Sequence, residues 1–158
     1  MDSIIAGFES VFPELGIDTE ADIDHIERLI SISRKIAPFV NSMMKSGEYN
    51  EFGKGMVVDV FQLLPEDYIK HIDKEYFDIF YFITSDVSAE ERFDIIKKFD
   101  TEKDYTFFDS DEEIKEMCKN IVKESKYIKN ECIKYGLTFY ETTKDRDIII
   151  KKFLKELK

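Results

Sequence analysis

Three short apolar runs set the terms on which this chain can fold: Met56-Val57-Val58-Asp59-Val60-Phe61, Ile79-Phe80-Tyr81-Phe82-Ile83 and Leu137-Thr138-Phe139-Tyr140. Each has the length of a strand, and each is followed by a stretch that reads as helix. The near-continuous first run suits a strand buried on both faces of a parallel sheet. Strands alternating with helices imply an α/β fold, with a parallel sheet and right-handed crossovers. The third of the chain before the first run reads as helical.

The helices between the runs carry clear punctuation. Residues Ser3 to Phe12 read as a short helix, and Phe12 to Asp18, with Pro13 and Gly16, as a turn. Asp18 or Thr19 can cap a long helix that ends near Gly47. Its apolar stripe takes in Ile23, Ile26, Ile30, Ile36, Phe39, Val40 and Met43. Pro38 is expected to kink or interrupt it, because proline removes a donor and crowds the preceding turn. Pro65 suits the first turn of a short helix over PEDYIKHI. Ser88 with Glu91 and Ser110 with Glu113 are capping boxes. The first opens a helix to about Phe99. Residues 100–109 read as a loop. The second opens a long helix that stops at Gly136. Thr142 or Thr143 is expected to cap the last helix, with Ile148, Ile149, Phe153 and Leu154 toward the core.

A chain of 158 residues is expected to form one domain. Its regions are a helical part over 1–50 and strand–helix repeats over 51–158. The net charge of −11 argues against nucleic acid as a partner, since a duplex binder needs a basic footprint. The same charge would repel ATP unless local basic groups override it. Neither a signal peptide nor an apolar run of membrane-spanning length is found, so no membrane partner is expected and the cytoplasm is the expected compartment. Cys118 and Cys132 read as buried or half-buried free thiols, without the neighbours of a zinc site.

Few residues point to chemistry. The phosphate-binding pattern G-x-x-x-x-G-K-[ST] is absent. Gly53-Lys54-Gly55 precedes a strand and cannot aim helix-start amides at a phosphate. Asp59 follows apolar residues toward the end of a strand, where an acid can hold Mg²⁺ through water or contact an acceptor; a purely structural role stands beside that reading. Arg92, Lys97 and Lys98 lie on the helix after Ser88. Arg92 suits bidentate phosphate contact, against the plainer reading of a solvated charged face. Thr142, Thr143, Lys144 and Arg146 follow the third strand, and open α/β sheets bind ligands at strand carboxyl ends. The alternative there is a helix cap with first-turn charges. His25 and His71 are assigned no catalytic part.

Two longer stretches carry a resemblance. Tyr81-Phe82-Ile83-Thr84-Ser85-Asp86-Val87-Ser88-Ala89-Glu90-Glu91-Arg92-Phe93-Asp94 resembles the strand-to-lid passage of P-loop kinases of the adenylate-kinase and 2-phosphoglycerate-kinase-like group. The segment from Cys132 to Arg146 resembles the last helix–strand–loop–helix of that group. Asp2-Ser3-Ile4-Ile5 and Phe12 to Gly16 resemble the stretch after its second strand.

The resemblance implies a three-layer fold of P-loop kinase type, with strand order 2-3-1-4-5 and this chain supplying strands three, four and five. It implies a lid-like region over about 86–112. It places Asp2 against a small-molecule acceptor, Arg92 on a phosphate from the lid side, and the Thr142, Thr143 and Lys144 loop near adenine. It further implies that the chain is N-terminally incomplete, lacking the P-loop and the central first strand. ATP and Mg²⁺ are then cofactors only where that segment is present. Unpaired strand edges would be costly, so direct strand pairing or a homodimer is expected in its place. The expected function is a kinase-like phosphotransferase, inactive in these residues alone. The alternative is a non-catalytic interaction protein in which Phe107 and Phe108, or a rebuilt sheet edge, serve a partner.

Overall fold

The computed structural model describes residues 24–45, 58–60, 62–75 and 77–156, with only the backbone of Met44. The expected helix at 3–12, the turn after it, the Asp18 or Thr19 cap, Asp2 and Gly53-Lys54-Gly55 lie outside the described residues. The chain divides into two compact units, Met1–Asp78 and Ile79–Lys158. Helix makes up 66% of the described residues, beside a two-stranded parallel sheet, an arrangement compatible with an α/β class.

In the first unit, α1 spans His25–Lys45 and α2 spans Pro65–His71. Helix α1 buries Leu29, Ile32, Ser33, Ala37 and Val40, one stripe at helical spacing. That stripe is displaced from the expected one, since Phe39 is exposed and Ile26, Ile30, Ile36 and Met43 are only half-buried. The helix runs through Pro38 without interruption. Pro38 and Arg34, whose carbonyl it leaves unbonded, are both exposed, so water can take the lost bond. Pro65 sits at the start of α2 as expected. Leu64 has no side-chain cap of its own helix to use; its N–H is donated to the buried Ser33 Oγ at 2.9 Å. Asp73 N–H to Asn41 Oδ1 at 2.9 Å and Lys45 to Asp73 at 2.6 Å tie the far ends of the two helices.

The first expected strand is corrected where it is described. Residues 58–60 form neither strand nor helix, and Val58 and Asp59 are exposed. Burial begins later, at Gln62, Leu63 and Leu64, after a turn closed by Leu63 N–H to the Val60 carbonyl at 3.1 Å. An apolar run becomes a strand only with a partner to complete its hydrogen bonds, and none is present here among the described residues.

The second unit contains both strands. In order come β1 (Tyr81–Ile83), α3 (Ala89–Phe99), a 3-10 turn (Tyr105–Phe108), α4 (Asp111–Tyr135), β2 (Phe139–Glu141) and α5 (Arg146–Glu156). The strands are parallel, with Tyr81 opposite Phe139 and Ile83 opposite Glu141. Parallel pairing requires a long crossover, which α3 and α4 supply. Both capping boxes form as read, at Ser88 and Ser110. Gly136 ends α4 with φ +67°, a conformation that favours glycine.

Helix α4 carries the core. Ile114, Cys118, Val122, Ser125, Ile128 and Cys132 form its buried stripe, three and four residues apart. Tyr81 and Ile83 are buried, whereas Phe82 between them points to the other face of the sheet and is 47% exposed. There it stacks on Tyr140, its partner across the strands, at 5.5 Å, and meets Phe153 of α5 edge-on at 5.0 Å. Helix α5 departs from expectation in two ways. It starts at Arg146, so neither Thr142 nor Thr143 caps it, and Ile148 and Leu154 are exposed rather than toward the core. Two strands of three residues offer it little surface, and Phe153 makes its aromatic contacts.

Candidate functional site

The carboxyl ends of β1 and β2 bring together a cluster of polar side chains in the second unit. Thr142 extends the ladder by one bond, its N–H donating to the Ile83 carbonyl at 2.8 Å. The chain leaving β1 then presents Ser85 and Asp86 beside Glu141, the last residue of β2. Both oxygens of Glu141 accept from Ser85 N–H at 3.1 Å. Ser85 Oγ donates to Glu141 Oε2 at 2.5 Å, and Thr143 Oγ1 donates to Oε1 at 2.5 Å. The carboxylate therefore pins the loop after one strand to the loop after the other.

Lys129 completes the cluster from α4. It neighbours the buried Ile128 and lies one turn beyond Ser125, on the border of the buried stripe. Its Nζ is 2.8 Å from Asp86 Oδ1, 3.0 Å from Ser85 Oγ and 3.8 Å from Glu141 Oε2. The hydrogen bond to Asp86 raises the Lys129 ammonium above its ordinary value, with Glu141 adding to the effect. Asp86 is lowered in return, by Lys129 first and Ser85 second. Burial alone would raise Glu141, but hydrogen bonds from Ser85 and Thr143 outweigh it and hold the carboxyl below its usual range.

A serine between a lysine and a carboxylate invites comparison with a nucleophile and its base. The electrostatics work against that use. A general base must be able to take a proton, and Lys129 is held as a cation. Glu141 carries a lowered proton affinity, which makes it a weak base, and both its oxygens already accept hydrogen bonds. Ser85 is 4% exposed, so an incoming carbonyl or phosphorus has no approach to its Oγ. The cluster fastens the two strand ends and leaves its outer rim to Thr142, Thr143 and Lys144.

The predicted site residues distribute unevenly. Thr142, Thr143 and Lys144 do lie at the strand ends. Thr142 Oγ1 is committed to the Ile83 carbonyl at 2.9 Å and Thr143 Oγ1 to Glu141, whereas Lys144 is exposed and close enough to lower Asp86 and Glu91. Arg92 is half-buried on α3 and acts electrostatically on Cys118 of α4. Its buried Nε has no hydrogen-bond partner among the described residues. Asp59 belongs to the first unit, and Asp2 lies outside the described residues. Among the described residues no group of three or more His, Cys, Asp or Glu is placed to hold a metal ion, nor is any helix long and apolar enough to cross a membrane. The thiols are free and buried. Burial raises both, Cys132 to about 12, which leaves them inert near neutral pH.

Sequence reasoning passed over Ser85, Lys129 and Glu141. A lysine at the edge of an otherwise buried stripe, and an acid ending an apolar strand, were the available signals. Comparison with protein-family models, curated proteins and solved structures returns no match for this chain.

Proposed function

We propose that this chain is the nucleotide-base side of a kinase-like phosphotransferase, whose complete form has the three-layer parallel sheet and moves a phosphoryl group from ATP–Mg²⁺ to a small molecule. The observation that carries the proposal is the parallel pair β1 and β2, joined by a helical crossover, with the Thr142–Lys144 loop at its carboxyl end. That is where open α/β sheets take ligands.

The rim fits one end of a nucleotide better than the other. Asp86, Glu91 and Glu141 face Lys129 and Lys144, three negative charges against two positive, an arrangement that does not attract a triphosphate. A neutral base needs hydrogen bonds rather than charge, which suits the loop. The phosphates would need a P-loop, and the 158 residues contain no such pattern. In this reading Arg92, with no ion pair among the described residues, contacts a phosphate from α3; Asp59 serves metal or acceptor, and Asp2 the acceptor. These residues alone transfer no phosphate.

The in-frame genomic sequence upstream of Met1 provides the test. A strand followed by G-x-x-x-x-G-K-[ST], and ATP-dependent phosphorylation by the extended chain, is the expected result; an in-frame stop directly upstream overturns it.

A second reading, a non-catalytic interaction protein, is favoured by a separate observation: Tyr105, Phe107 and Phe108 stand exposed in one ordered turn. A thermal-shift titration with ATP–Mg²⁺ separates the two, because a ligand that binds only the folded chain raises its stability. A clear rise from the 158-residue chain counts against the second reading.

A further inference from the structure

The turn between α3 and α4 combines three features that ordinary surface loops do not share. First, it displays aromatic rings: Tyr105 is 78% exposed, Phe108 80% and Phe107 42%, with Phe107 and Phe108 edge-to-face at 5.1 Å. Exposed single apolar residues need no explanation, but a contiguous set does.

Second, the turn is held in place. Thr106, buried between the exposed Tyr105 and Phe107 in the chain, donates its hydroxyl to Asp100 at 2.7 Å. Asp104 accepts from Thr101 N–H at 2.9 Å and from its hydroxyl at 2.7 Å. Phe107 N–H and Asp109 N–H close the 3-10 turn onto Asp104 and Thr106, and the Ser110 capping box fixes its exit into α4. Rings presented on a fixed backbone lose little freedom when a partner covers them.

Third, the charge around the rings is predominantly negative. From Asp100 to Glu113 there are seven acids and a single basic residue, Lys103. Asp100 and Asp104 serve the turn, Glu113 the cap, and Asp111 pairs with Lys97 at 3.0 Å. Glu102, Asp109 and Glu112 keep carboxylates that bond to no side chain among the described residues.

From these features we infer that the α3–α4 turn is a docking surface for a basic peptide segment carrying apolar side chains, in which aliphatic or aromatic anchors cover Phe107 and Phe108 while lysines or arginines meet Glu102, Asp109 and Glu112. The inference rests on the interaction reading and gives it a partner class. Charge complementarity selects this occupant. An anionic membrane surface is repelled by the three free carboxylates, and a second copy brings its own net charge of −11. Aromatic anchors in the middle of a charged rim are also the usual layout of an interface hot spot.

The test uses the full 158-residue chain and a labelled helical peptide of leucine and lysine, with a leucine–glutamate peptide as its opposite in charge. Fluorescence anisotropy should show saturable binding of the first peptide, weakened at high salt, and none of the second. Phe107→Ser with Phe108→Ser should weaken it about 30-fold. Phe108→Ser alone, at the more exposed ring, separates lost binding from lost folding when urea unfolding of the same variant shows its stability unchanged. Glu102→Gln with Asp109→Asn and Glu112→Gln should weaken it about 10-fold at low salt and remove most of its salt dependence. Equal binding by the chain and its Phe108→Ser variant overturns the proposal. So does Phe108-dependent binding to phosphatidylserine vesicles, or a dimer that Phe108→Ser dissociates; either replaces the partner class and keeps the interaction reading. An ATP–Mg²⁺ thermal shift bears on the interaction reading itself and is read independently of the peptide.

Discussion

The rim at the strand ends and the turn between α3 and α4 belong to the same unit, yet they use polar groups in opposite ways. At the strand ends a carboxylate, a lysine and two hydroxyls are drawn inward and satisfy one another. At the turn, Thr106, Asp100 and Asp104 are satisfied so that apolar rings can stay in water. Satisfied polar groups under tension of burial stabilise a fold; apolar groups kept exposed at a cost do not. The comparison separates residues whose removal should be felt in stability from residues whose removal should be felt in binding.

The largest effect is expected at Glu141. Glu141→Ala leaves the N–H of the buried Ser85 without its acceptor and removes one of the two carboxylates beside Lys129, so it should cost about 3 kcal/mol of stability. Urea unfolding followed by circular dichroism measures it. A loss no larger than that of a surface substitution would mean that the strand ends are held by backbone pairing alone.

Acid provides a finer version of the same experiment. Glu141 binds its proton less readily in the folded chain than in the unfolded one. Between its folded value and the usual carboxylate range the unfolded chain therefore carries more protons, and acidification favours unfolding. The contribution is complete above the usual range and disappears as pH falls through the folded value. Asp86, Glu91 and Glu113 shift the same way, so Glu141→Gln should flatten the acid limb of the stability curve without abolishing it. An unchanged acid limb would show that Glu141 is not held ionised by Ser85 and Thr143.

At the turn the hidden hydroxyl should matter more to stability than the visible rings. Thr106→Val removes the bond to Asp100 while keeping nearly the same shape, and should cost about 1 kcal/mol by urea unfolding. If the turn is a preorganised surface, peptide affinity should fall with it, although Thr106 touches no partner. Stability lost with affinity intact would break the link between the fixed backbone and binding.

The sequence carried much of this frame and little of the rim. Helix caps are local chemistry, and the Ser88 and Ser110 boxes and Gly136 appear where the residues place them. The second and third apolar runs became β1 and β2, shifted by one or two residues. The first did not at 58–60, because a strand is a property of a pair and no partner strand lies beside it among the described residues. The core side of α5 was misread for a related reason: Ile148 and Leu154 have the right spacing, but the surface they would cover is only two short strands. The Ser85, Lys129 and Glu141 cluster joins positions 44 and 56 residues apart, which no local pattern encodes. The exposed rings were legible as residues, since Phe107 and Phe108 sit among acids, while the buried hydroxyl that fixes them was not.

The smallest expected effect is the one that tests the comparison most directly. Phe82 and Phe108 are both exposed phenylalanines, at 47% and 80%, and composition alone would treat them alike. The Phe82 ring pairs with Tyr140 and Phe153, whereas among the described residues the Phe108 ring pairs with the neighbouring Phe107. Losing the two ring contacts in Phe82→Ser should cost about 1 kcal/mol beyond the area uncovered. Phe108→Ser should leave stability within about 0.5 kcal/mol of the parent, because the ring gives up little apolar contact on folding. A chain selected only for folding would gain by replacing Phe108, so a neutral stability result joined to lost peptide binding would locate the reason for that ring outside the fold. A destabilisation of Phe108→Ser equal to that of Phe82→Ser would instead make the turn part of the core's support, and the distinction between the two regions would fail.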